Sequence, residues 1–259
     1  MDKAGLNITF AGYPNNEPLV LLHGFLGDHH DWQTVITALS SRFFCIIPDL
    51  PGHGDSAHIN ISNPGFSDCC QLIDSALSAL NIEHYHLLGY SLGGRLALHM
   101  AQRVPAKLLS LTLESCHPGL TSVDEQQQRW QNDSVWADRL ALLPIRQFLD
   151  LWYQQGVFAG LSAQQRQQLI DKRAHNNPLS LANCYQATSL AKQQNLWTIP
   201  QQLNCECHYI LGENDKKFSQ LAQTWQQTGA PLKLHHIANA GHNVHLAQPQ
   251  AFSQVVLAL

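Results

Sequence analysis

Gly89-Tyr90-Ser91-Leu92-Gly93-Gly94-Arg95 follows an apolar run, Tyr85 to Leu88, and opens a helix-like stretch from Leu96 to Val104. This is G-x-S-x-G set between a strand and a helix, the context in which the pattern reads as a nucleophile elbow. So sharp a turn crowds the backbone around Ser91, and the glycines on either side remove clashes that a side chain would cause. Ser91 Oγ is expected above the end of a sheet, with the Leu92 N–H pointing at the same spot from the helix N-terminus. That end carries partial positive charge and unpaired N–H groups, which suits a developing oxyanion.

Short apolar runs alternate with helical patterns on both sides of this turn, the mark of a mainly parallel sheet with helices on both faces. Leu19 to Leu22 reads as a buried strand ending at His23-Gly24-Phe25, and Phe44 to Ile47 as the next, running into Asp49-Leu50-Pro51-Gly52-His53-Gly54-Asp55-Ser56. Phe66 to Leu80 has helical spacing, and Leu108 to Leu113 is the strand after the elbow. The alternation stops from about His117 to Pro200, where four helix-like segments follow one another: Glu125 to Leu142, Ile145 to Tyr153, Ala163 to His175 and Leu179 to Ala191. Glutamine runs make this stretch polar, but Trp130, Trp136, Trp152, Tyr153 and Phe158 recur through it and argue for packing over disorder. It reads as a helical cap inserted where the loops of an α/β sheet carry function. The sheet pattern resumes at His208 to Leu211 and Leu232 to Ile237, and a helix from about Pro249 to Leu259 closes the chain. The expected organisation is therefore a core in two parts, 1–116 and 201–259, with a cap at 117–200.

The composition agrees with an enzyme on a small molecule. At 259 residues, 44% of them hydrophobic, the chain is long enough to bury a full core. A net charge of −4 leaves no footprint for nucleic acid or an anionic membrane. Met1 to Gly5 lacks a basic segment leading into an apolar one, so no secretory signal is expected. The longest apolar runs are far too short to span a bilayer. Seven scattered cysteines lack zinc-site spacing and read as reduced thiols of a cytoplasmic protein. The fifteen histidines fall in separate segments without H-E-x-x-H, so no metal site is expected.

A serine at its ordinary pKa is a poor nucleophile or base and needs a histidine oriented by a carboxylate. Gly212-Glu213-Asn214-Asp215 follows the late strand, and Ala240-Gly241-His242-Asn243 follows the last one. Both turns sit at carboxyl ends of strands, where open α/β sheets place their sites. Asp215 is taken as the orienting acid and His242 as the base. Glu213 and Glu114 compete for the first role, and His245, one turn on, for the second. His23 reads as a support for its own loop, and the Phe25 N–H as a second oxyanion donor beside that of Leu92.

Taken together, the H-G-F turn, D-L-P-G-H-G-x-S, G-x-S-x-G-G, G-x-x-D and G-H resemble the α/β-hydrolase superfamily across almost the whole chain. A narrower resemblance rests on G-Y-S-L-G-G-R at Gly89 to Arg95, H-P-G-L at His117 to Leu120, W-Y-Q-Q at Trp152 to Gln155 and G-H-N-x-H at Gly241 to His245. These are similar to the MenH family, the 2-succinyl-6-hydroxy-2,4-cyclohexadiene-1-carboxylate (SHCHC) synthases of menaquinone biosynthesis. That resemblance implies a lyase that eliminates pyruvate from 2-succinyl-5-enolpyruvyl-6-hydroxy-3-cyclohexene-1-carboxylate, with no metal or organic cofactor. It also implies that Tyr90, Arg95, Arg129, Trp152, Tyr153 and Arg173 contact substrate. The chemistry is consistent, because the substrate carries three carboxylates and arginine's planar fork binds carboxylates through paired hydrogen bonds. The rival reading is a carboxylesterase or carbon–carbon bond hydrolase with Ser91 as a true nucleophile. The same triad serves both, and only converging cap arginines separate them. A non-catalytic binding protein on the same fold is the third option.

Overall fold

The computed structural model describes residues 5–259; the reading of the N-terminus rests on Met1 to Gly5 and so falls almost wholly outside them. Seven strands form one sheet: β1 Ile8–Ala11, β2 Glu17–Leu22, β3 Phe43–Pro48, β4 Tyr85–Tyr90, β5 Leu108–Glu114, β6 Glu206–Gly212 and β7 Leu232–Ile237. Their order is β1-β3-β2-β4-β5-β6-β7, with only β1 antiparallel to its neighbour. This is the α/β-hydrolase fold, a mainly parallel sheet covered on both faces.

The pleat sorts the core. Along β2, Val20 and Leu22 join one apolar cluster while Leu19 and Leu21 join the other, as successive side chains of a strand point to opposite faces. Helices α1 Gln33–Leu39, α2 Phe66–Ala79 and α3 Leu92–Arg103 belong to the first half of the chain. Of these, α2 and α3 bury Ile73, Leu77 and Leu96 in the first cluster, and α1 buries Val35 and Leu39 in the second. The central strand β4 is buried at every position, which explains why Tyr85 to Leu88 reads as a continuous apolar run rather than an alternating one.

Between β5 and β6 the described residues form no strand. Helices α4 Val123–Leu142, α5 Ile145–Trp152, α6 Ala163–Arg173, α7 Pro178–Ala187 and α8 Ile199–Gln202 fill that segment. Its own apolar cluster holds Leu140, Phe148, Leu149, Tyr153 and Leu181, with Trp136, Trp152 and Phe158 packed against it. Two of these helices end two or more residues short of the sequence reading. α6 stops at Arg173, before His175, and α7 stops at Ala187 because Ser189 turns its hydroxyl onto the Ala191 N–H and starts a separate 3₁₀ turn at Leu190–Lys192. Helices α9 Lys216–Gln227, α10 Val244–Ala247 and α11 Pro249–Leu257 complete the chain. No described helix is long and apolar enough to cross a membrane, and all seven cysteines are free thiols.

Candidate active site

Six parallel strands bring the loops after β2, β3, β4, β5, β6 and β7 to one edge of the sheet. Ser91 takes the first position of the β4–α3 turn with φ +50°, a region a serine rarely occupies, so the elbow is strained as the motif predicts. The flanking glycines are required: a Cβ on Gly89 would lie 2.3 Å from Gly93 O, and one on Gly93 would lie 2.1 Å from Leu22 O. Leu92 opens α3, so its N–H has no partner within the helix. Ser91, Leu92 and Phe25 line a single cavity of about 560 Å³.

His242 meets the same cavity from the β7–α10 loop. Its Nδ1 donates to Asp215 Oδ2 at 2.8 Å; a carboxylate only accepts, so Nε2 is left as the nitrogen available to a hydroxyl. Asp215 is itself fixed, because Oδ1 accepts from the Phe218 N–H at the start of α9. The two loops are bound to each other by Asn214 N donating to Ala240 O at 2.9 Å. Ser91 Oγ and His242 share the cavity wall without a direct hydrogen bond among the described residues, a looser arrangement than a closed triad. Such contacts often tighten only with substrate bound.

The competitors for the triad have other partners. Glu213 is exposed. Glu114 is fully buried, and His245 Nδ1 donates to it at 2.7 Å. His23 Nε2 accepts from the Leu50 N–H while Nδ1 donates to Gly24 O, which makes it the loop support expected and fixes it as the neutral tautomer. Burial lowers its pKa accordingly.

The cationic lining is more extensive than the three arginines read from the sequence. Arg95, Arg129, Arg139 and Lys217 all line the Ser91 cavity. Arg95 sits one turn into α3, where Nη1 donates to Thr188 O at 2.8 Å. Burial lowers its pKa to about 10, with the Arg129 charge second, so it is charged at neutral pH. Arg129 donates through Nε to Asp133 Oδ1 at 2.7 Å, and Asp133 also accepts from the hydroxyls of Tyr185 and Ser189. The Arg129–Asp133 spacing of four along α4 was legible as a helix-face pair; the other two partners were not.

Arg173 and Tyr153 lie apart from the other four residues expected to contact substrate. Neither lines the Ser91 cavity; both line a second chamber of about 370 Å³. Arg173 is buried and donates through Nη2 to Asp31 Oδ2 at 2.6 Å, while its Nε and Nη1 meet no acceptor at good hydrogen-bond geometry among the described residues. Tyr153 is packed within the helical segment against Arg173, and burial, partly offset by the Arg173 charge, raises its pKa. The chambers share a wall formed by Phe25, Tyr90, Trp152, Val157, Phe158 and His242. Tyr90 and Trp152 therefore face both.

Among the described residues one group of three has metal-ligand proximity: Asp28, His29 and His30 each place a donor atom within 4.8 Å of the others. The three are consecutive in the chain, so their proximity comes from the turn they form rather than from distant segments brought together. Asp28 caps the turn at His29–Trp32 by accepting from the His30 N–H, and His29 Nδ1 is held by Asp49. None of the three lines either chamber.

A family model described as the alpha/beta hydrolase fold matches residues 17–249. The 2-succinyl-6-hydroxy-2,4-cyclohexadiene-1-carboxylate synthase of Klebsiella pneumoniae subsp. pneumoniae is 43% identical over 250 residues, covering 94% of this chain and 95% of its own. The synthase of the same name from Yersinia pestis bv. Antiqua is 43% identical over 243 residues, covering 93% and 86%. Among solved structures, MenH from S. aureus superposes with a TM-score of 0.87 at 27% identity, covering 98% of this chain and 97% of that one.

Proposed function

We propose, for a chain that belongs to the α/β-hydrolase fold family and within it to the SHCHC synthases, that Ser91, His242 and Asp215 carry the pyruvate elimination that forms SHCHC in menaquinone biosynthesis. In this reading His242 Nε2 takes the Ser91 proton, and the Ser91 oxygen takes a ring proton from 2-succinyl-5-enolpyruvyl-6-hydroxy-3-cyclohexene-1-carboxylate. The freed electron pair forms the new ring double bond as the carbon–oxygen bond to the enolpyruvyl group breaks. The His242 imidazolium gives its proton to the departing enolate, which becomes pyruvate and leaves the base neutral again. Asp215 holds the imidazole in the tautomer this needs and stabilises the imidazolium that forms. The N–H groups of Phe25 and Leu92 face the developing negative charge.

The observation that carries the assignment is the 43% identity to named synthases over nearly the whole chain. The site chemistry supports it independently. A cavity holding Ser91 and His242 also holds Arg95 and Arg129, and the adjoining chamber adds Arg173 with two buried nitrogens, Nε and Nη1, that meet no well-placed acceptor among the described residues. Buried unpaired donors are costly unless a ligand satisfies them. We read the two chambers as the two arms of one polycarboxylate site, with 117–200 as its cap over a core formed by 1–116 and 201–259. Trp152 and Tyr90 then separate the arms. The chemistry uses no metal or organic cofactor in this reading, since every proton has a side-chain carrier. Seven unpaired thiols support a cytoplasmic location.

Incubating the purified protein with the enolpyruvyl substrate tests the proposal. Stoichiometric release of pyruvate with growth of the conjugated-diene absorbance is expected. Hydrolysis of simple esters without pyruvate release would transfer the site to the carboxylesterase reading.

A further inference from the structure

Glu114 ends β5 between the two halves of the site, and both of its ends are in use. Its backbone carbonyl accepts from the Ser91 N–H at 2.9 Å, holding the strained elbow. Its carboxylate Oε1 accepts from the N–H groups of Val244 at 2.6 Å and His245 at 3.1 Å, the first two amides of α10, two and three residues after His242. His245 Nδ1 closes on the same carboxylate at 2.7 and 3.0 Å. Glu114 and His245 are both fully buried, beneath a cavity neither of them lines. A buried carboxylate is tolerated only when its oxygens are fully bonded, and these are. The imidazole is wedged against Trp32, with ring centroids 4.5 Å apart, and against the Tyr90 ring at 5.0 Å.

One residue thus touches the nucleophile by main chain and the loop of the base by side chain. Among the described residues Ser91 and His242 make no direct hydrogen bond, and their loops come from β4 and β7, three strands apart. We propose that Glu114 is the positioning residue that sets the Ser91-to-His242 spacing for the elimination, with His245 as the wedge that keeps its carboxylate aimed. This rests on the assignment of Ser91 and His242 as the reacting pair. A group that fixes distance acts on kcat, because misplacing a catalytic atom by about 1 Å costs on the order of 100-fold in rate while leaving binding contacts in place.

The test compares Glu114→Gln, His245→Leu and His245→Gln with the native chain for kcat, KM, melting temperature and the rate at which a fluorophosphonate labels Ser91. Labelling needs the Ser91–His242 pair but no carboxylate binding. For Glu114→Gln the expectation is a kcat lowered about 10- to 100-fold at nearly native KM, with labelling slowed in proportion. His245→Leu should follow it. His245→Gln, which retains a donor for the carboxylate, should recover most of the labelling rate, and this pair of variants decides the matter if Glu114→Gln does not fold. Native kcat and labelling in folded Glu114→Gln would overturn the proposal. So would losses that merely track melting temperature with a rise in KM, since those describe a structural brace. If Ser91→Ala turns over the substrate normally, the underlying site assignment falls, and this inference with it.

Discussion

Arg173 Nη2 donates to Asp31 Oδ2 at 2.6 Å, joining the last turn of α6 to the turn that follows β2 across 142 residues of sequence. Lys172 Nζ reaches Asp31 Oδ1 at 3.1 Å and the His30 carbonyl. The helical segment is therefore pinned to the core beside the second chamber by a buried carboxylate with two cations on it. Burial alone would raise the Asp31 pKa, but Arg173 and then Lys172 pull it well below the usual carboxylate range.

Removing one side of such a pair is costly because the other charge stays buried. Asp31→Asn should destabilise the chain by about 3–5 kcal/mol, measurable as a shift in denaturant midpoint. Asp31→Asn with Arg173→Met should recover part of that loss. A midpoint unchanged in the single variant would mean that Asp31 is solvated rather than locked.

The catalytic group should behave as one unit. Ser91→Ala and His242→Ala should each lower kcat by several orders of magnitude, and the double variant should resemble either single one, because neither residue acts without the other. Asp215→Asn should be milder, since it disturbs tautomer and orientation rather than removing the base. Additive losses in the double variant would dismantle the triad assignment.

Much of this site is legible in the sequence because its parts are local. Gly89 to Arg95 contains the elbow, the strain and one cation in seven residues, and each triad partner sits immediately after a strand whose apolar run is unmistakable. What the sequence conceals is pairing at long range. Arg173 reads as a free fork until the fold sets it on Asp31, and Glu114 reads as a spare acid until β5 and α10 are brought together. Asp28 and His175, 3.3 Å apart, come from the core and the helical segment and share no motif. The division of the cavity into two chambers depends on where Trp152 and Phe158 fall, and their spacing along α5 and after it predicts burial without predicting which wall they form.

Acid should unfold the chain before carboxylates alone would. Burial lowers the pKa of His53 to about 3 and that of His99 to about 4, the Arg95 charge adding to the second. Both are neutral when folded, whereas the unfolded chain protonates them near 6.5. The unfolded state then binds more protons below that pH, so stability is complete above about 6.5 and falls as pH drops toward 4, each histidine contributing up to about 1.4 kcal/mol per pH unit. Asp31 adds a second loss, present above its unfolded pKa near 4 and removed as pH falls further. Urea midpoints at pH 7, 6, 5 and 4 should fall with the steepest change between 6 and 4, and a flat series would contradict neutral buried imidazoles.

Elimination leaves no acyl group on the enzyme. Rapid quench during turnover, followed by intact mass spectrometry, should give only the unmodified chain. A substrate-derived mass on Ser91 would identify a covalent pathway and favour the hydrolase reading.

The arginines separate the polycarboxylate site from any generic esterase, and their partners now rank them. Among the described residues Arg95 has no ion-pair partner and donates to Thr188 O and Gln193 Oε1, which leaves it less neutralised than the other two. Arg129 and Arg173 are already partly neutralised by Asp133 and Asp31. Arg95→Ala should therefore weaken transition-state binding most, by roughly 2–5 kcal/mol in kcat/KM, the range for truncating one partner of a buried charge pair. Arg95→Lys should recover it only in part, because an ammonium keeps the charge without the planar fork. Arg129→Ala should cost less in kcat/KM. Arg173→Ala should lower kcat/KM and stability together, because it also leaves Asp31 buried without its partner. A neutral ester, where the enzyme accepts one, should be processed by Arg95→Ala at close to the native rate. Wild-type kcat/KM on the tricarboxylate in Arg95→Ala would remove that arginine from the binding site and leave the anionic substrate to Arg129, Lys217 and the second chamber.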